Sequence, residues 1–419
     1  MLSMQVDAVA ACPWQRERVA GYLARLPRRP MQGGSLAARL VLAICLLLAV
    51  AVAQAAPNAA PMPRAPLVEG TAFVLMDADT GTIVAQSGAN VRHPPASLTK
   101  IMTAYIIEGE IDSGRIGIDD EVPISVNAWR MGGSEMFIRE GTQVRLQDLL
   151  RGVIIVSGND ASVALAEYVA GSEDAFVDMM NATAKRLGMR NTQFLNSTGL
   201  PAPGHYSTAH DLANLAVHVV DDYPDQYRIY AEKEFLYNNI AQRNRNDLLF
   251  TDRTVDGMKT GWTDEAGYCL IASSKRDDMR LVAVILGAPT PAARARDAAK
   301  LLSYGFRYFQ THRLYTAQQV LKSTPVWSGA ADELELVVPI AANVTLQRGR
   351  YNDLVAEAEV QHIVRAPIAA GERLGVLRLK LDGRVLKELP LVAKVAVEEG
   401  GFLKRAWHAV YLFFSELFS

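Results

Sequence analysis

From residue 254 onward the apolar pattern changes its period, and that change constrains the fold more than any other feature of the chain. Residues 255–262, 267–274 and 280–287 read as three consecutive strands, with polar turns at 263–265 and 276–278. Two further strands, 71–77 and 82–86, lie far upstream and flank the turn Asp79-Thr80-Gly81. Between the two groups runs a block of helical patterns at 97–107, 146–156, 161–169, 175–187 and 211–220, and residues 292–309 return to helix. Strands separated by a helical block cannot pair as a local meander alone. An antiparallel sheet that joins early and late strands, with helices packed on it, is the α+β solution that buries both sets of apolar faces.

The ends of the chain have a different texture. Residue 31 is a Met that reads as a second N-terminus. It precedes Arg39, an apolar run at 40–52 and the small-residue sequence Ala53-Gln54-Ala55, which together form a secretory signal pattern over about 31–56. The run is too short for an ordinary spanning helix, and the alternative is an uncleaved anchor. We therefore expect residues 1–56 to be absent from the mature protein, with 57–66, rich in Pro and Ala, as a linker. Removing 1–56 takes Cys12 and Cys45 with it. Cys269 is left alone in an apolar strand, where a buried structural thiol is the expectation. Whether the chain starts at Met1 or Met31 is left open.

From about residue 323 short strand patterns recur at 334–338, 343–347, 354–360, 374–381 and 390–397, which read as a small all-β domain. The expected boundaries are 67–322 for the first domain, 323–398 for the second and 399–419 for a tail. In 401–419, Lys404, His408, Tyr411, Ser415 and Ser419 fall on one helical stripe, while Phe402, Leu403, Trp407, Val410, Phe413, Phe414, Leu417 and Phe418 cover the rest. Such a helix suits a membrane interface, and it is too short to span one. A helix docked on its own protein is the competing arrangement.

Half of the 419 residues are hydrophobic and 21% are charged, so the chain can bury a sizeable core. A formal net charge of -2 gives no reason to expect nucleic acid. The sequence has neither zinc-type Cys/His spacing nor a Gly-rich phosphate loop, so no metal or cofactor is expected.

The chemistry resides in three short motifs taken in order: Ser97-Leu98-Thr99-Lys100, Ser157-Gly158-Asn159 and Lys259-Thr260-Gly261. The first opens a helix after Pro94-Pro95, the second lies between two helices, and the third lies on the first strand of the late meander. Singly, each is weak; a capping serine beside a solvated lysine would explain the first. Their order and settings carry the signal. A serine hydroxyl needs a base to become a nucleophile. Lys100 follows Ser97 by three residues and so shares its helix face. Desolvation in a cleft lowers a lysine pKa and allows it to act as a neutral base.

With these motifs the chain resembles the penicillin-binding serine DD-peptidases, in particular the low-molecular-weight D-Ala-D-Ala carboxypeptidases. The resemblance runs from about Val68 to the C-terminus and includes Asn196-Ser197-Thr198-Gly199-Leu200, Tyr206-Ser207-Thr208-Ala209 and Leu301-Leu302-Ser303-Tyr304-Gly305-Phe306. It implies a β-lactamase/DD-peptidase-like antiparallel sheet with helices, a small all-β domain and a C-terminal amphipathic helix. It also implies Ser97 as nucleophile, Lys100 as base and Ser157 as a proton shuttle to the leaving amine. Asn159, Lys259, Thr260, Gly261 and Trp262 would bind substrate, with the N–H groups of Ser97 and Trp262 as oxyanion hole. An arginine would hold the substrate carboxylate; Arg294 matches the position, with Arg296 close enough to leave the choice open. Trp262 departs from the smaller or polar residues expected there.

The implied reaction acts on peptidoglycan stem peptides and forms an acyl-enzyme that β-lactams would mimic. The implied location is the periplasmic face of the bacterial inner membrane, held through residues 401–419. Three rivals share much of this pattern. A class A β-lactamase needs a glutamate four residues before an asparagine, and Thr192 stands there relative to Asn196. A D,D-endopeptidase would use the same chemistry on cross-links. A peptidoglycan-binding scaffold would keep the fold without the reaction.

Overall fold

A computed structural model describes residues 4–5 and 63–417. The secretory-signal reading of 31–56 lies outside the described residues. The chain packs as two units, one of residues 63–315 with 341–348 and the other of residues 316–340 with 349–417, to which Met4–Gln5 adds.

The larger unit is built on a five-stranded antiparallel sheet. Its strands are β1 (Ala72–Asp77), β2 (Ile83–Ser87), β3 (Val255–Thr263), β4 (Gly267–Arg276) and β5 (Met279–Ala288), in the order β2-β1-β5-β4-β3. The early and late strands join at β1 and β5, as the sequence pattern requires, with Val74 opposite Val284. The central strands are buried on both faces. Ala72, Val74 and Met76 of β1 enter one apolar cluster with the helical block, and Phe73 and Leu75 enter a second. That explains why β1 reads as a continuous apolar run rather than an alternating one.

The helices on the first face are α1 (Thr99–Asp112), α2 (Leu146–Arg151), α3 (Asn159–Ala170), α4 (Glu173–Arg186) and α5 (Ala209–Asp222). The second face is covered by α6 (Pro291–Tyr308), whose Leu301, Leu302 and Phe306 are buried there. Capping residues set several starts. Ser172, Thr208 and Thr290 each accept a backbone N–H three residues on, a contribution of about 1 kcal/mol each. The predicted single helix over 146–156 is two structures: after α2, residues Gly152–Val156 widen into a π-helix that ends at Ser157 with φ +65°. Gly152 packs closely against the Met136 side chain and Ala161.

A strand at Phe309–Tyr315 was not legible beforehand. It continues without a break from α6, and it pairs with Ala342–Gln347 within the larger unit. Packing therefore divides the chain after Tyr315 rather than at the expected 322/323, and residues 343–347 stand with the first unit.

The smaller unit holds an antiparallel sheet in the order Leu354–Val360, Arg373–Leu381, Arg384–Ala393, Glu333–Val337, Val320–Pro325, with Met4–Gln5 at the edge beside Leu354–Val360. The last strand in sequence begins six residues before the expected 390, because Asp382-Gly383 turns the chain directly back. The tail forms α7 (Phe402–Leu417). Its polar stripe faces its own unit: Lys404 pairs with Asp332 at 2.7 Å, His408 Nδ1 accepts the Ser328 N–H at 2.8 Å, and Tyr411 stacks on Trp327. Phe402, Leu403 and Trp407 are left exposed.

Candidate active site

Ser97 sits in a 3₁₀ turn, Ala96–Leu98, that leads straight into α1. The turn is held under backbone strain, with Ala96 at φ +49°. Two glycines clamp it. A β-carbon on Gly199 would lie 1.8 Å from the Ala96 carbonyl oxygen, so no side chain is tolerated there. A β-carbon on Gly261 would lie 3.2 Å from both Pro95 O and Ser97 N, which brings strand β3 against the Ser97 amide. The Gly of the third motif is thus explained by close backbone approach.

Lys100 is fully buried one turn further on. Its Nζ lies 2.6 Å from Asn159 Oδ1, 2.6 Å from Thr198 O and 3.3 Å from Ser97 Oγ. Three acceptors thus use the three ammonium donors, and one of them is the serine hydroxyl. No carboxylate pairs with Lys100 among the described residues. Burial pulls its pKa down to about 7, and Arg245 adds to the fall. An amine near neutrality at hydrogen-bond reach of a hydroxyl is able to take its proton.

The 196–200 loop exists to present that Thr198 carbonyl. Asn196 Oδ1 gathers the N–H groups of Thr198 and Gly199 and the Thr198 hydroxyl, while Glu173 holds the Ser197 N–H and hydroxyl. Thr103 of α1 donates to Ser197 O and ties the loop to the helix that carries Lys100.

A pocket of about 280 Å³ opens in front of these groups. Of the residues expected at a site, Ser97, Ser157, Thr260, Gly261, Trp262 and Arg294 line it. Ser157, in its left-handed conformation, keeps a buried hydroxyl without a hydrogen-bond partner among the described residues. Arg294 is buried in the wall, whereas Arg296 points to solvent and pairs with Glu69 at 2.9 Å, which separates the two candidates.

Lys100, Asn159 and Lys259 lie behind the lining, and one expectation needs correction, that for Lys259. Asn159 was expected to offer its amide to substrate. Its Oδ1 accepts from Lys100 and its Nδ2 donates one N–H to Gly132 O at 2.7 Å, so the side chain also holds the lysine in place and keeps a second N–H. Lys259 was expected to face the cleft. It is buried, donates to Thr260 O at 3.1 Å, and is driven well below the ordinary lysine range by burial and then by Lys100, Arg245 and Arg294.

Three lining residues escaped sequence reasoning: Ser134, Arg245 and Tyr268. Arg245 donates to the Ser134 hydroxyl at 2.7 Å. It is bracketed by buried Asn244 and Asn246, whose amides bond Glu232 O and Gly257 O. An arginine between two such loop asparagines was the available signal. Ser134 follows Gly132-Gly133, and Asp160 anchors that loop by accepting the N–H groups of Met136 and Phe137. Tyr268 was readable from register, since it stands opposite Trp262 across the β3–β4 turn. Arg245 and Arg294, both in the lining, form no ion pair among the described residues, so the pocket is cationic and suits an anion.

A family model described as D-alanyl-D-alanine carboxypeptidase matches residues 59–290, and one described as penicillin-binding protein 5, C-terminal domain, matches residues 309–399. The chain is 42% identical over 363 residues to the D-alanyl-D-alanine carboxypeptidase DacC of Escherichia coli, covering 85% of this chain and 91% of that one. Penicillin-binding protein 5 from Haemophilus influenzae has a similar structure, with a TM-score of 0.77 at 38% identity, over 80% of this chain and all of that one. Penicillin-binding protein D2 from Listeria monocytogenes, solved in an ampicillin-bound form, matches with a TM-score of 0.54 at 28% identity, over 58% of this chain and all of that one.

Proposed function

The chain belongs to the D-alanyl-D-alanine carboxypeptidase family, and from that premise we propose that it removes the terminal D-alanine of peptidoglycan pentapeptide stems through an acyl-enzyme on Ser97. One observation carries the reading: a buried Lys100 amine, near neutrality and without an acidic partner among the described residues, 3.3 Å from the Ser97 hydroxyl.

Substrate lies along the free edge of β3 as an added strand, held by main-chain hydrogen bonds. Its terminal carboxylate meets Arg294, Arg245 and the Thr260 hydroxyl. Lys100 takes the Ser97 proton, and Ser97 Oγ attacks the carbonyl between the two D-alanines. The oxyanion is received by the N–H groups of Ser97 and Trp262. The unpartnered Ser157 hydroxyl relays the proton to the leaving amine, D-alanine departs, and water releases the shortened stem from Ser97. A β-lactam, bearing a strained amide and a carboxylate, acylates the same serine. The ampicillin-bound form of the Listeria relative supports that extension.

Mass spectrometry of products tests the reading. A pentapeptide ending in D-Ala-D-Ala is expected to lose one alanine, while a cross-linked muropeptide stays joined. Release of monomers from the cross-link would favour the endopeptidase. Absence of a fluorescent-penicillin label on folded protein would favour the scaffold, and rapid turnover of the drug the lactamase.

For location we propose secretion through the 31–56 segment and peripheral attachment to the outer face of the inner membrane through α7. No helix among the described residues is long and apolar enough to cross a membrane. The tail has one face docked and another, with Phe402, Leu403 and Trp407, left to meet lipid. Deleting 401–419 is expected to release the protein from membranes with activity kept. Continued pelleting would point to another anchor.

A further inference from the structure

Arg294 is held in an unusual way for a buried arginine. Two other arginines, carried by β4 and β5, have acids: Arg276 pairs with Asp252 at 3.1 Å and Arg280 with Asp256 at 2.7 Å. Arg294, only 8% exposed, has no such partner among the described residues. A buried guanidinium without compensation is costly, so something neutral must hold it. Nη1 donates to Gly261 O at 3.1 Å and to Cys269 O at 3.4 Å. The guanidinium carbon stands 5.6 Å from the centre of the Tyr268 ring, within cation–π range. A guanidinium carries five N–H donors, so several are left for a ligand.

Tyr268 is in turn fixed by Trp262. The two are directly opposite each other on β3 and β4, and their rings stack with centroids 5.8 Å apart and planes 29° apart. Trp262 is 51% exposed. A large ring left half in water at the mouth of the pocket contributes little to the core, and its one described aromatic contact is Tyr268. Both rings line the pocket beside Arg294.

We propose that Trp262 and Tyr268 are positioning residues that hold the Arg294 guanidinium toward the pocket, and that this aromatic pair sets the preference for a substrate ending in a free carboxylate. The arrangement keeps the arginine charged and oriented without an internal acid that would compete with the ligand. It rests on the proposed carboxypeptidase reading, because the ligand is the terminal carboxylate of the D-Ala-D-Ala peptide. The unexpected tryptophan after Lys259-Thr260-Gly261 thereby acquires a role in specificity, acting through its neighbour rather than on the reacting atoms.

The test compares two peptides that differ only at the end, one with a free terminal carboxylate and one with a terminal amide. kcat and KM are measured for each with wild-type protein, Tyr268→Leu, Tyr268→Phe, Trp262→Ala and Trp262→Phe. For Tyr268→Leu the preference for the carboxylate, as a ratio of kcat/KM values, is expected to fall about tenfold, mostly through KM. Trp262→Ala is expected to lower it about threefold, and the two phenylalanine variants to retain it. Full labelling at saturating fluorescent penicillin serves as the folding control. Equal losses on both peptides, or a ratio unmoved in Tyr268→Leu and Trp262→Ala, would overturn the proposal. Wild-type protein that cleaves neither peptide would remove the carboxypeptidase reading and this inference with it. Activity with an unmoved ratio removes the inference alone.

Discussion

Helix α1 buries one ionisable side chain near each end, and the two are treated differently. Lys100, at the start, is surrounded by acceptors from three other segments: Asn159, Thr198 and Ser97. Glu108, toward the end, is equally buried, yet neither carboxylate oxygen has a hydrogen-bond partner among the described residues. Burial drives both toward the neutral form, the lysine down to about 7 and the glutamate up to about 8. The shift alone therefore does not make a functional group. Lys100 has a reactive hydroxyl in reach and a pocket in front of it. Glu108 lies near the buried Tyr230 hydroxyl, itself without a hydrogen-bond partner among the described residues, and neither lines the pocket in front of Ser97.

The comparison breaks first if the lysine end is dispensable. Ser97→Ala is expected to abolish acylation by penicillin, and Lys100→Ala to slow it about 10²–10⁴-fold, read by gel labelling over time. Labelling at the wild-type rate in either variant would contradict the assignment. Asn159→Asp sharpens the point by placing a carboxylate where an amide now accepts from Lys100 at 2.6 Å. An adjacent negative charge raises a lysine pKa and keeps it protonated. Acylation at pH 7 should fall about 10–100-fold and recover in part at pH 9.

At the other end, Glu108→Gln should change stability and leave acylation alone. The carboxyl pKa is raised on folding, so its favourable contribution is complete below about pH 4.5, the ordinary value, and is lost as pH rises through about 8. The glutamine variant has no such loss. It should be more stable than wild type at pH 8 by on the order of 1–3 kcal/mol, with the difference shrinking toward pH 5, as read by thermal denaturation. The smallest effect belongs to a pair in neither environment: Arg296→Ala, which removes a surface pair with Glu69, should change stability by about 0.5 kcal/mol or less.

Much of this contrast was legible in the sequence, and the reasons are physical. Ser97 and Lys100 share a face because helical spacing requires it, and the sheet that carries Lys259-Thr260-Gly261 follows from strand periodicity on both sides of a helical block. Residues placed by loops were harder. Arg245 reaches the pocket from an irregular segment that no periodicity describes, and the commitment of Asn159 depends on Gly132 and Lys100, which are distant in sequence. Phe309–Tyr315 was hidden because the helix before it passes into strand without a turn residue. The tail offered two exclusive readings, membrane helix or docked helix. Its docked stripe of Lys404, His408 and Tyr411 and its exposed Phe402, Leu403 and Trp407 give the two faces of one helix.

The most direct trial of a neutral lysine working on Ser97 is the acylation rate of the wild-type protein between pH 5 and 9. The rate should climb as Lys100 loses its proton, with a midpoint near 7. A rate that stays level across that range, or that declines as the solution turns alkaline while the fold persists, would contradict the account.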